Sequence, residues 1–78
     1  MKVRYVGQSF GVDGLTDGKV YECLGVEGPF LRIIDDSGED YLYSSKSPAP
    51  LDPDEGPGGR WEIVEDNEYR TLQKAIFG

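Results

Sequence analysis

The stretch "KVYECLGVEGPFLRIIDDSGEDYLYS", Lys19 to Ser44, decides how the rest of the chain is read. Side chains alternate across a β-strand with a period of two. From Lys19 to Val26 that alternation puts Tyr21 and Cys23 on one face and Glu22 on the other. Gly28 and Pro29 break the run, since Pro has no amide to give to a ladder and Gly turns at little steric cost. In "FLRIID" the same period sets Leu31 and Ile33 opposite Arg32, which assigns the inner face to the apolar pair. "DSGE" reverses the chain, with Gly38 placed for the left-handed conformation that closes a bulged hairpin. "DYLYS" then returns as a further strand. The stretch therefore predicts three strands, over residues 19–26, 30–35 and 39–43.

Upstream, Val3 and Tyr5 alternate with Lys2 and Arg4, a first strand over 2–6. "GQSFGVDGLTDG" follows, an irregular loop that Phe10 and Leu15 pin down, with a tight turn at Asp17–Gly18. Downstream, residues 44–60 hold four of the five prolines and three glycines. Missing amides at that density leave no ladder, so this is a long loop, part extended and part mobile. "WEIVE", residues 61–65, supplies the fifth strand. Asp66 is then placed to cap a helix over 66–77 in which Tyr69, Leu72 and Ile76 recur at spacings of three and four. The expectation is one mainly β domain over 1–78. It consists of a small five-stranded antiparallel barrel over 1–65, closed or half-closed, with a short C-terminal helix. A two-layer α+β sheet is the alternative.

A chain of 78 residues commits nearly every large apolar side chain to its core. Cys23 is the single cysteine, so no internal disulfide staples the domain, which fits a reducing compartment and predicts a cytoplasmic protein. "MKVRYVGQSF" lacks the apolar run of a signal peptide, and no stretch approaches a membrane span, so no membrane partner is expected. The net charge of −7 is uneven. Residues 1–34 balance four bases against four acids, whereas residues 35–66 carry two bases against ten acids. That acidic half repels phosphate backbones and attracts basic protein surfaces, which excludes direct nucleic-acid binding.

"GLTDGKVYECL", then "RIIDDSGEDYLY", then "WEIVE" resemble a group of small uncharacterised proteins of Gram-positive bacteria and their phages or mobile elements. The resemblance covers residues 2–43 and 61–65. It implies an SH3-like barrel, with the proline-rich segment as an insertion and the terminal helix as an addition. Its motifs are structural, so it implies no catalytic residue and no cofactor.

Asp35, Asp36, Glu39 and Asp40 raise the question of a cation site. Calcium needs six to eight oxygens, and an EF-hand draws them from a loop twice as long as "DDSGED". A hairpin also sends alternate carboxylates to opposite faces. No histidine is present, which removes the commonest general base and metal ligand. Cys23, on the inner face and without a histidine partner, reads as a small buried hydrophobe. "GPGGR" lacks the lysine and the helix of a phosphate loop. The chain thus reads as no enzyme, with no metal and no cofactor. What remains is an acidic and aromatic face of Asp35, Asp36, Glu39, Asp40, Tyr41, Tyr43 and Trp61, with Phe30 nearby. There aromatic rings beside carboxylates suit a basic protein surface or peptide. "SPAPLDP", Ser47 to Pro53, is the reverse possibility, an extended segment offered to another protein's groove. The alternative function is an acidic protein that mimics nucleic acid and inhibits a nucleic-acid-binding protein.

Overall fold

A computed structural model of the chain describes residues 1–11, 13–50, 52, 54 and 56–78. The strands are β1 (Lys2–Gly7), β2 (Val20–Glu27), β3 (Phe30–Ile34), β4 (Asp40–Ser44) and β5 (Gly59–Glu65), followed by helix α1 (Thr71–Phe77). All strand pairs are antiparallel, in the order β4-β3-β2-β1-β5. The period of two holds where it was read. Val3, Tyr5, Tyr21, Cys23, Leu31, Ile33 and Trp61 point inward, none more than 3% exposed. Phe10 and Leu15 pair with each other across the first loop and are buried, so they pin it as expected. Gly38 has φ 83° at the β3–β4 turn, where the Asp35 amide donates to Glu39 and the Gly38 amide to Asp35.

β2 belongs to two ladders. Val20 to Glu22 pair with β1, and Cys23 to Glu27 pair with β3, with a register shift between Cys23 and Gly25 that leaves Leu24 out of the pairing. A bulge of this kind bends a strand and increases its twist. β4 and β5 are the two edge strands of this sheet, and they approach each other at Trp61. There the structure corrects the expected barrel: the sheet is open, and no ladder joins β4 to β5. A side chain joins them instead. Trp61 Nε1 donates to the Ser44 carbonyl at 3.0 Å, and the indole meets Tyr43 edge-on at 6.4 Å and 80°. Tyr5 and Tyr21 also contact the indole edge-on, which makes Trp61 the centre of an aromatic cluster.

The proline-rich connection is anchored at both ends. Ser45, Pro48 and Gly58 are buried. The Ser45 amide donates to Pro29 at 3.0 Å and the Gly59 amide to Pro48 at 2.9 Å. Gly58 has φ 76°, and a side chain there would collide with the Pro48 carbonyl, so the connection requires glycine at that point. β5 therefore starts at Gly59, two residues before the expected start. Leu51, Pro53 and Glu55, which carry part of the expected extended and mobile segment, lie outside the described residues.

The helix is shorter than expected, beginning at Thr71 rather than at Asp66. Asp66 still serves its N-terminus, from a distance. The carboxylate accepts from the amides of Leu72 and Gln73, both at 3.0 Å, while Asn67 Oδ1 accepts from those of Tyr69 and Thr71. These side chains satisfy the first helical donors and leave residues 67–70 as a turn. Leu72 and Ile76 enter the core, whereas Tyr69 is exposed outside the helix. No helix among the described residues is long and apolar enough to cross a membrane.

Candidate functional site

The acidic turn is held from within. Asp35, only 7% exposed, follows β3 directly and makes an Asx turn, its Oδ1 accepting from the Ser37 amide at 3.0 Å and from the Ser37 hydroxyl. Its Oδ2 accepts from the Tyr43 hydroxyl at 2.7 Å. Burial, and then this bond to Asp35, pushes the Tyr43 phenol well above its ordinary range. Asp36 ties the hairpin to the first loop. Its carboxylate accepts from Lys19 Nζ at 2.6 Å, from Thr16 Oγ1 at 2.8 Å and from the Tyr21 hydroxyl at 3.0 Å. Burial opposes the charged form of Asp36, and the three donors overcome it and hold the carboxyl below its usual range.

The other two acids face outward. Asp40 accepts from Arg32 Nη1 at 2.9 Å, and the same guanidinium donates to Glu27. The bond from Arg32 lowers the pKa of both carboxyls. Glu39 accepts from the Tyr41 hydroxyl at 3.1 Å. Among the described residues no three acidic or cysteine side chains come together as a metal-holding group. Asp36, Asp40 and Glu27 each already hold a cation, so a mimic of nucleic acid would find fewer free charges here than the sequence contains.

The face expected from sequence therefore divides. Trp61 is 2% exposed and Asp35 is buried, so neither contributes contact area at a surface. The cause is economy of apolar area. A small core uses its one indole inside and satisfies the N–H on the Ser44 carbonyl. Tyr43 is half-buried between Trp61 and Phe10. Glu39, Asp40 and Tyr41 remain at the surface, with Asp36 partly covered beside them.

Tyr41 leads to a feature the charge reading missed. A groove of about 500 Å³ runs beside β4. Tyr41, Leu42, Tyr43 and Ser44 of β4 line it. Phe10, Gly11, Asp13 and Gly14 of the first loop, Ser47, Ala49 and Pro50 after β4, and Phe30 complete the lining. Phe30, Tyr41 and Leu42 are each 41–50% exposed, an unusual concentration of accessible apolar surface. Asp13 is the one charged residue among the described lining residues, and Glu39 is bonded to Tyr41 at its margin. The sequence did contain a signal for this surface: "YLY" puts three large side chains in succession on a strand, and alternation can bury only one face of them.

A second depression, about 650 Å³, lies between β5 and α1. Its lining mixes Arg60, Arg70 and Lys46 with Glu62 and Asp66. Glu62 is 3.6 Å from Arg60, and Asp66 is engaged in capping α1, so both carboxylates there are engaged within the fold.

Comparison with known proteins gives no match: no family model, no curated protein and no solved structure aligns with the chain.

Proposed function

We propose that the chain is a non-catalytic protein-interaction module, an SH3-like half-barrel whose groove beside β4 receives a basic peptide. The strand order β4-β3-β2-β1-β5, with β2 bent and shared between two ladders, supports the SH3-like reading. One observation carries the function. Exposed Phe30, Tyr41 and Leu42 line a groove bordered by Asp13 and Glu39, with no lysine or arginine among its described lining residues. Aromatic rings supply contact area and cation–π attraction, and the acidic margin steers a positive segment toward them. Phe30 and Leu42 thus join the acidic and aromatic face, while Trp61 and Asp35 support it from inside. The cytoplasmic setting expected from a lone cysteine goes with this proposal.

The test compares two capped peptides, one alternating arginine with valine and the other glutamate with valine, added to the isotope-labelled protein. The basic peptide is expected to shift the amides of Phe30, Tyr41 and Leu42, to bind more weakly at high salt, and to lose binding in Tyr41→Ala. Equal binding of the acidic peptide, or shifts confined to the β5–α1 depression, overturns the proposal.

A further inference from the structure

The lining of the groove holds a second piece of information. A strand that presents one face to a groove contributes alternate residues, yet β4 contributes Tyr41, Leu42, Tyr43 and Ser44 in succession. Four consecutive residues line a groove that runs along the strand's edge, where the backbone itself is within reach. Two hydrogen bonds fix which backbone groups lie there. The Glu39 carbonyl accepts from Asp35, and the Ser45 amide donates to Pro29, so odd-numbered residues at both ends of β4 turn their polar groups toward β3. In an antiparallel ladder that orientation alternates. Tyr41 and Tyr43, opposite Ile33 and Leu31, continue the inner series. Asp40, Leu42 and Ser44 point away from the sheet. The indole of Trp61 confirms the parity, because it takes the Ser44 carbonyl from the outer side. The amide and carbonyl of Leu42 are left on the groove side with no strand beyond them in the sheet, and those of Asp40 continue the same edge just outside the groove lining.

We propose that the groove binds its peptide by strand addition: an extended basic segment pairs with the Asp40–Leu42 edge of β4 and becomes a sixth strand. The proposal rests on the interaction reading above and specifies its mode. Backbone hydrogen bonds to Leu42 supply affinity, and alternate side chains of the incoming strand meet the apolar wall. The occupant is basic because Asp13 lines the groove and Glu39 is bonded to Tyr41 within it, while no lysine or arginine is among the described lining residues. Trp61 limits the addition at one end, since the Ser44 carbonyl is taken and the strand cannot extend past it without displacing the indole.

The experiment uses the full chain and the capped arginine–valine peptide, with two further versions N-methylated on either the odd or the even amides. N-methylation deletes a donor and leaves every side chain in place. Strand addition predicts that one methylated version binds about threefold to tenfold more weakly, as loss of a hydrogen bond requires, while the other binds as the parent does. The Leu42 amide should also become protected from hydrogen exchange in the complex. On the protein side, Leu42→Pro removes the outward amide at an edge position that tolerates proline, and it should abolish binding with the amide spectrum otherwise preserved. Equal binding of all three peptides, with shifts still in the groove, overturns strand addition and leaves the groove reading standing. Absence of binding by the parent peptide overturns both.

Discussion

The β3–β4 hairpin contains two regions that look the opposite of what they are. Its turn, Asp35 to Glu39, concentrates carboxylates and resembles a ligand site, yet Asp35 and Asp36 are bonded to Ser37, Tyr43, Lys19, Thr16 and Tyr21 and fasten the hairpin to the body of the fold. Its returning strand, Asp40 to Ser44, looks like ordinary sheet, yet it carries exposed rings and an outward-facing backbone edge. The difference teaches that charge density alone does not mark a surface for binding. Carboxylates within reach of hydroxyls and ammonium groups are consumed by the fold. Apolar side chains left uncovered in a chain this small are the more informative excess.

Substitutions that separate stability from binding test this contrast. The largest loss is expected at the support shared by both regions. Trp61→Ala empties the aromatic cluster and should cost about 3–5 kcal/mol in urea unfolding, comparable to the whole stability of a domain of this size. Asp35→Ala comes next, at about 2–3 kcal/mol, because it removes the turn's fastening and leaves the Tyr43 hydroxyl without its acceptor. If Asp35→Ala instead left unfolding unchanged and abolished peptide binding, the turn would be the site and the contrast would be reversed.

Asp36 sharpens the comparison through pH. Its folded pKa lies below its ordinary value of 3.8, so the stability it supplies is complete above the unfolded pKa and is lost as pH falls through the folded one. The wild-type midpoint should therefore drop more steeply than that of Asp36→Asn as the solution is acidified from about pH 5 to about pH 3. Parallel acid profiles would show that Lys19, Thr16 and Tyr21 add nothing to the charged form. The smallest effect on unfolding is expected for Tyr41→Ala, which sits at the surface, and the same variant should show a large loss of binding to the arginine–valine peptide.

The sheet was legible in the sequence because its signals are local. The alternation through Tyr21, Cys23, Leu31 and Ile33, the break at Gly28–Pro29 and the left-handed Gly38 all act within a few residues of themselves. What escaped depends on partners far apart in the chain. Nothing near Trp61 announces that its N–H will reach Ser44 and take the place of a fifth ladder. Nothing near Asp36 announces Lys19. The helix start was misplaced for the same kind of reason: Asp66 is a cap, but it reaches across a turn to Leu72 and Gln73 rather than to the residues beside it. Within the candidate site, Tyr41, Glu39 and Asp40 were readable as surface residues. Phe10 and Asp13 come to the groove through the first loop, whose path is set by the contact between Phe10 and Leu15.

Trp61 is the chain's only indole, and it is lodged where the two sheet margins approach each other. Its emission is accordingly a built-in optical gauge of that seam. Blue-shifted light reports margins that are drawn together, and a red shift reports their parting, without any label attached to the protein.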